Sequence, residues 1–192
     1  MPIKEILSSI AIALTLYAFF PYIRSILKGE VKPHVFSWII WGSTTLIVFF
    51  AQLAGGAGVG AWPIGVSGLI TIYVALLAFI KRGDIKITRT DWFFFLSAMS
   101  SLPFWCLTSD PLWAVVILTS VDILGLAPTV RKAYEEPFQE SVSFFAIIVV
   151  RNAVAIMALE LYSLTTVLFP AAVMVFCIIL VAVIVVRRRA LT

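Results

Sequence analysis

Long, unbroken apolar runs are the feature that most restricts how this chain can fold. Hydrophobic residues fill 62% of its 192 positions, charged residues fill 12%, and the mean hydropathy is +1.09. A soluble domain has about 45–50% apolar and about 25% charged residues, so one globule of this length cannot bury the apolar surface. Because the runs are continuous rather than alternating, they exclude a transmembrane β-barrel. The sequence predicts an all-α polytopic membrane protein.

About 20 apolar residues are needed for a helix to cross a bilayer, and seven stretches approach that length. They cover residues 6–27, 35–54, 61–80, 91–107, 111–133, 141–162 and 167–186. The connections are short and leave no room for a separate soluble domain. Lys4 before the first run is typical of a signal peptide, but Glu5 offsets its charge and the run is longer than a signal-peptide core. We therefore expect this segment to be retained as the first span.

The basic residues test the count of seven, because cytoplasmic loops of membrane proteins are enriched in Lys and Arg. With seven spans, 12 of the 14 basic residues fall on one side and only Lys4 falls on the other. The remaining one, Arg151, lies inside the sixth stretch. This bias predicts an outside N-terminus and a cytoplasmic C-terminus, and the short tails are typical of a bacterial inner membrane. The net charge of +4 then reflects topology, so we expect a lipid bilayer as partner and no nucleic acid.

The chain aligns with itself at an offset of 107 residues without a gap. The aligned pairs are Pro21 with Pro128, Arg24 with Arg131, Val35 with Val142, Trp62-Pro63 with Phe169-Pro170, and Lys81-Arg82 with Arg188-Arg189. Spans one to three therefore correspond to spans five to seven. The prediction is a 3+1+3 arrangement of seven transmembrane helices: a three-helix repeat at residues 1–82 (the first half), a linker helix at 83–108, and a second repeat at 109–192 (the second half). Both three-helix bundles start outside and are parallel, because the linker helix restores the orientation.

Each repeat has a proline near the end of one helix, then a basic loop, then a serine-containing start to the next helix. The second copy spans residues 128–145 and the first spans residues 21–38, with Thr129 and Tyr22 after the two prolines. This pattern resembles the repeats of the SWEET and PQ-loop (MtN3-like) superfamily of small transporters. The resemblance implies a sugar as the solute for SWEET-type members, or an amino acid for some PQ-loop members.

Two charged residues lie near the middle of predicted spans, where each charge costs about 2.5–3.5 kcal/mol on insertion scales. Asp122 is in the fifth span and Arg151 is in the sixth, at similar depth because the two helices are antiparallel. We expect an ion pair that offsets much of this cost. Two interpretations stay open: the pair either binds a solute or fixes helix packing. The offset aligns Asp122 with Thr15 and Arg151 with Thr44, so these charges belong to the second half alone.

Further polar and aromatic residues complete the predicted substrate-binding site. Asn152 falls where the superfamily commonly has an asparagine, and its counterpart in the first half is Thr45. The other candidates are Thr44, Trp41, Ser67, Thr71 and Tyr73. Pro21 and Pro128 are the predicted hinges, because proline removes a backbone hydrogen bond and loosens a helix. Symmetric kinks suit a transporter in which one bundle rocks against the other.

No residues have the spacing of a catalytic or metal site, so we expect neither an enzyme nor a cofactor. The leading hypothesis is a small secondary transporter that moves a small polar solute, sugar-like or amino-acid-like, by alternating access. Opposite charges at positions 122 and 151 favour a zwitterionic or carboxylate-bearing solute over a neutral sugar. The alternative is a membrane receptor or accessory subunit of the same fold, similar to the ER retrieval receptors, which binds a peptide or lipid-linked ligand without transport. The sequence leaves a homo-oligomer open.

Overall fold

The structure, a computed structural model, describes residues 2–30, 33–81, 87–135 and 137–191. Nine α-helices lie within these ranges: α1 (Pro2–Leu27), α2 (Val35–Ala54), α3 (Trp62–Ile80), α4 (Arg89–Met99), α5 (Ser101–Thr108), α6 (Pro111–Gly125), α7 (Ala127–Glu135), α8 (Val142–Ala158) and α9 (Leu164–Leu191). Two short 3-10 turns, Gly58–Ala61 and Pro137–Gln139, precede α3 and α8. The predicted all-α class is confirmed for the part of the chain that the structure describes.

Four helical segments are long and apolar enough to cross a membrane. They are α1, α2, α9 and the segment Gly58–Ile80 that contains α3, whereas α6 and α8 are apolar but shorter. Large apolar side chains such as Phe20, Leu69 and Val186 lie exposed on these long segments. Extensive apolar exposure is unfavourable in water. The long helices thus have the length, composition and surface that the membrane prediction requires.

Several helices begin at residues whose side chains satisfy the free backbone N–H groups of a first turn. The Thr88 hydroxyl accepts a hydrogen bond from the Asp91 backbone N–H at 3.2 Å, and Asp91 Oδ2 accepts one from the Thr88 N–H at 2.7 Å, a reciprocal capping box at the start of α4. Asp110 caps α6 through the Leu112 N–H at 2.9 Å. Ser141 caps α8 through its side-chain oxygen. These caps fix where the shorter helices begin.

Two of the predicted spans are not single helices. The stretch at residues 91–107 divides at Ser100 into α4 and α5, and the stretch at 111–133 divides at Leu126 into α6 and α7. A proline follows each division, Pro103 in the first turn of α5 and Pro128 in the first turn of α7. Proline has no N–H to bond the carbonyl four residues earlier, but it is tolerated in a first turn. Hydropathy is continuous across both breaks, so the apolar runs did not reveal them.

The other predicted spans differ from the helices mainly at their ends. α1 begins before residue 6, α8 ends at Ala158 rather than at 162, and α9 extends beyond the predicted 167–186 at both ends. α1 continues through Pro21 without a break, whereas the break between α6 and α7 lies two residues before Pro128. The predicted boundary between residues 82 and 83 and the side chain of Pro128 lie outside what the structure describes.

Helix packing places a core between the long helices. α2 packs along α3, α8 packs along α9, α1 contacts α3 and α8, and α6 contacts α9 and α2. The short helices α4 and α5 pack on α6, and α4 also contacts α2. The largest buried cluster includes Val48, Ile64, Val115 and Leu118. The core therefore joins helices from both halves.

The segment between α2 and α3 approaches the segment between α8 and α9 at backbone distance. A Cβ atom at Gly60 would lie 2.6 Å from the backbone N and Cα of Leu159, and one at Gly55 would lie 2.8 Å from Thr165 Cγ2. A contact under 3.0 Å requires a neighbouring atom to shift, and at Gly60 that neighbour is backbone. Glycine at these positions therefore permits the close contact of the two segments.

We predict that Gly60→Ala lowers the free energy of unfolding by about 1–3 kcal/mol, the usual cost of overpacking, because the new methyl group meets a backbone rather than a flexible side chain. Unfolding of the purified protein in mixed micelles measures this change. The control is Gly125→Ala, where the nearest atom to the new Cβ, Trp41 Nε1, is 3.7 Å away. Equal losses in the two variants would contradict a backbone contact at Gly60.

Candidate functional site

A partly open cavity of about 220 Å³, the central cavity, lies between the helices. Six helices line it: α1, α2, α3, α6, α8 and α9. Its polar lining consists of Thr15, Trp41, Thr45, Ser67, Asp122, Arg151 and Cys177. Five phenylalanines form much of the remaining wall: Phe19, Phe144, Phe145, Phe169 and Phe176. Five predicted site residues thus meet at one cavity: Trp41, Thr45, Ser67, Asp122 and Arg151.

Arg151 is buried at 4% exposure, and its guanidinium donates three hydrogen bonds. Nε donates to Thr15 Oγ1 at 3.0 Å, Nη1 to Asn152 Oδ1 at 2.8 Å, and Nη2 to the Pro63 carbonyl oxygen at 2.6 Å. All three acceptors are neutral groups. Since Thr15 is on α1 and Pro63 is on α3, this arginine of α8 joins the second half to two helices of the first half.

Asp122 is 9% exposed and also has a neutral partner. Its Oδ1 accepts a hydrogen bond from Thr44 Oγ1 at 3.1 Å, and the same hydroxyl lies 2.9 Å from the Trp41 carbonyl oxygen. The described residues contain no ion pair between Asp122 and Arg151, so the predicted pair is wrong. Similar depth in the membrane does not make two helices neighbours: α8 packs mainly on α1 and α9, and the guanidinium turns toward α1.

The two threonine contacts are related by the repeat offset. The offset of 107 residues aligns Thr15 with Asp122 and Thr44 with Arg151. The structure pairs Thr15 with Arg151 and Thr44 with Asp122. Exchanging the halves converts one contact into the other, so they occupy equivalent places. Arg151 is therefore held by Thr15, which aligns with Asp122. Asp122 is held by Thr44, which aligns with Arg151.

The remaining predicted site residues lie at or beyond the cavity wall. Asn152 is fully buried behind Arg151, and its Nδ2 donates to the Ile148 carbonyl oxygen at 2.9 Å. Thr71 donates to the Ser67 carbonyl oxygen at 2.8 Å within α3 and does not line the cavity. Tyr73 is 46% exposed and is not brought to the site. Six residues separate it from Ser67, which turns it about 240° round the helix.

Sequence reasoning missed the phenylalanines and Cys177 as parts of the cavity wall. The chain has 15 phenylalanines, and hydropathy does not distinguish those that line a cavity from those that face lipid. Phe144 and Phe145 lie within the second PQ-loop-like stretch, which was the available signal for two of them. Cys177 has no polar neighbour in sequence that marks it.

A second cavity of about 190 Å³ lies beside the central one and shares Trp41 with it. It is lined by residues of α2, α4 and α6, including Ser37, Thr90, Asp91 and Phe94. Ser37 and Asp91 are near the starts of α2 and α4. Those starts are on the side where most basic residues of the sequence fall. Trp41 therefore lines both the central cavity and a second cavity near the starts of α2 and α4.

At the opposite end, hydrogen bonds join the two halves. Lys4 Nζ donates to the Leu159 carbonyl oxygen, and Glu160 N donates to the Ala57 carbonyl oxygen at 3.0 Å. Val59 N donates to Glu160 Oε1 at 3.3 Å. Deeper in, Gln52 Nε2 donates to the Thr166 carbonyl oxygen at 2.7 Å. We call these contacts, together with the Gly60–Leu159 approach, the outer seal, because the orientation predicted from the sequence places this end outside.

Comparisons of the chain with protein-family models, with curated proteins and with solved structures find no match. The resemblance to SWEET and PQ-loop proteins stays a prediction from the sequence. A functional assignment therefore depends on the cavity, its charges and its seal.

We predict that neutralising Arg151 lowers the free energy of unfolding more than neutralising Asp122 does. Arg151→Gln should lower the free energy of unfolding by about 2 kcal/mol, because it removes three hydrogen bonds and such bonds in membrane proteins average about 0.6 kcal/mol each. Asp122→Asn should change it by less than about 1 kcal/mol, because the amide oxygen still accepts from Thr44. Unfolding in mixed micelles measures both changes, and the exposed Arg24→Gln is the control. Equal large losses in the two site variants would indicate a direct pair after all.

Proposed function

We propose that this protein is a small secondary transporter that carries a small polar solute across a membrane by alternating access. The observation that carries the proposal is a cavity between two halves that contains two buried charges held by equivalent contacts. Solute-binding groups at the interface of two repeats, near the middle of the membrane, are typical of such transporters. An enzyme is not favoured, because the hydroxyl groups that contact the two charges, those of Thr44 and Thr15, also contact backbone carbonyl oxygens of their own helices.

The proposed architecture is the 3+1+3 arrangement, with α4 and α5 together as the linker and α6 with α7 as one interrupted span. The contacts between helices support it. The offset of 107 residues carries α1, α2 and α3 onto α6, α8 and α9. The α1–α3, α1–α8 and α2–α3 contacts then have the counterparts α6–α9, α6–α2 and α8–α9. The exchanged threonine contacts follow the same relation.

The proposed orientation has an outside N-terminus and a cytoplasmic C-terminus, in a cell membrane such as the bacterial inner membrane. The distribution of Lys and Arg supports it. In this orientation the outer seal closes the external end, and the second cavity beside Trp41 extends toward the cytoplasm. The structure then corresponds to a state closed to the outside. Transport requires the seal to open while the cytoplasmic end closes.

The proposed hinges are Pro21 and Pro128, at equivalent places in the two repeats. The break between α6 and α7 near Pro128 supports hinge bending in the second half, because a helix without continuous hydrogen bonds bends at lower cost. α1 is unbroken at Pro21. In the first half, bending at this position strains fewer hydrogen bonds than elsewhere in α1, because proline cannot donate one.

Flux into proteoliposomes tests the proposal. Reconstituted wild-type protein should catalyse saturable uptake of at least one radiolabelled solute from a panel of sugars and amino acids. Asp122→Asn should reduce that uptake at least about tenfold, the effect of about 1.4 kcal/mol. The matched control is Asp110→Asn on the same helix, where asparagine still caps α6. Saturable ligand binding with no flux of any panel member would favour a receptor of the same fold.

The sidedness of the cavity is a separate prediction. In a Cys106→Ser, Cys177→Ala background, Ser67→Cys places one thiol at the cavity wall. A membrane-impermeant thiol reagent should label it from the side of Ala190 and not from the side of Leu161. Leu161→Cys and Ala190→Cys serve as controls for the two faces, since both residues are exposed. Adding Glu160→Gln, which weakens the outer seal, should increase labelling from the Leu161 side.

If Ser67→Cys is labelled equally from both sides in the intact background, the cavity is an open pore and alternating access is wrong. If Ser67→Cys is labelled only from the Leu161 side, the cavity opens on that side, and the proposal that the outer seal closes it there is wrong.

A further inference from the structure

Two opposite charges line the central cavity and do not pair with each other. Asp122 and Arg151 are both almost fully buried, and the groups that hold them among the described residues are neutral. A buried charge without a counter-charge is unfavourable. A ligand that brings a positive group to Asp122 and a negative group to Arg151 offsets both costs. A ligand with only one charge leaves the other side chain without a counter-charge in the same cavity.

Both side chains have hydrogen-bonding capacity left for such a ligand. A guanidinium has five N–H donors, and Arg151 uses three of them. A carboxylate has about four acceptor sites, and the described residues supply Asp122 with one hydrogen bond, from Thr44. The structure therefore leaves two donors and several acceptor sites at the cavity wall.

Two of the three hydroxyl groups of the lining donate to carbonyl oxygens of their own helices. Thr15 donates to the Ala11 carbonyl oxygen at 2.8 Å, and Thr45 donates to the Trp41 carbonyl oxygen at 2.7 Å. A sugar with many hydroxyl groups would find few donors at the wall apart from Arg151, Ser67 and Trp41. Of the two solute classes that the sequence left open, the lining therefore favours an amino-acid-like solute over a sugar-like one.

The rest of the wall is apolar and aromatic. Five phenylalanine side chains line the cavity, and its volume of about 220 Å³ exceeds the 150 Å³ or so of an apolar cavity that binds benzene. A six-membered ring with a few additional atoms is therefore of suitable size. An apolar group gains free energy when it moves from water to such a wall.

We infer that the cavity binds a zwitterion of the size of one amino acid, with its carboxylate at Arg151, its ammonium at Asp122 and an apolar or aromatic side group against the phenylalanines. This inference names the solute of the proposed transporter. It rests on the proposed function only for the transport step that follows binding. The geometry that carries it is the placement of two unpaired, opposite charges on one mostly aromatic cavity.

Ligand-induced thermal stabilisation of the purified full chain in detergent tests the inference. The probes are L-phenylalanine, 2-phenylethylamine, 3-phenylpropionate and D-glucose. L-phenylalanine should raise Tm in a concentration-dependent manner. The two analogues that lack one charge should bind about 10- to 100-fold more weakly, since each loses one hydrogen-bonded charge contact. D-glucose should cause no shift at the same concentrations.

Variants assign each charge to its partner. Asp122→Asn should weaken L-phenylalanine binding about 10- to 100-fold and reduce the penalty for 3-phenylpropionate, which has no ammonium group. Arg151→Lys, which keeps the charge and is expected to fold more readily than Arg151→Gln, should bind L-phenylalanine more tightly than Arg151→Gln does. The matched controls are Asp110→Asn and Arg24→Gln, both outside the cavity, and they should bind as the wild type does.

Several outcomes would overturn the inference: a shift with D-glucose and none with L-phenylalanine, equal shifts with the singly charged analogues, or an equal loss in the Asp110→Asn control. If D-glucose is transported and no zwitterion binds, the proposed transport function stands and the inferred zwitterionic ligand is rejected. If a zwitterion binds with the expected charge selectivity but is not transported, the inferred ligand stands and the proposed transport function is rejected. Absence of both binding and flux would reject both.

Discussion

The buried guanidinium of Arg151 is the constraint on which the arrangement of the site depends. A permanent charge in the middle of a membrane-spanning bundle needs fixed acceptors, and the structure supplies them from α1, α3 and its own helix. Three helices must therefore meet at one point. The cavity lies at this meeting point, and the side chain that joins these helices also lines the cavity.

The equivalence of the threonine contacts would explain how the proposed duplicated bundle has an asymmetric site. In the proposed repeat both halves share one frame, and two positions in each half contact the other half. In the first half these positions are Thr15 and Thr44, and in the second half they are Asp122 and Arg151. Because each charge contacts a threonine, the halves stay joined without a direct ion pair. Both charges then remain free to bind something else.

Much of this arrangement was predictable, because the bilayer requires apolar residues in every span and makes charged residues there costly. Both requirements are visible in hydropathy and charge. The all-α class and the choice of Asp122 and Arg151 as site residues follow from such signals, whereas Thr45 came from the repeat offset and the resemblance. The partners of the charges did not follow, because they depend on which helices are neighbours, and depth alone does not determine that. The breaks at Ser100 and Leu126 depend on single prolines, which a hydropathy average does not register.

The interruption at Leu126 has an electrical consequence. α6 has 15 residues, about 22 Å at 1.5 Å per residue, against a hydrocarbon core of about 30 Å. Irregular backbone at that depth is tolerated where it lines a water-filled space, and Leu126 is part of the cavity wall. In the proposed orientation, water at the break would carry the cytoplasmic potential inward, and the membrane voltage would fall mainly across the external portion closed by the outer seal. For the proposed transporter, a solute with no net charge would cross that steep field without electrical work, whereas moving an ion across it would require such work.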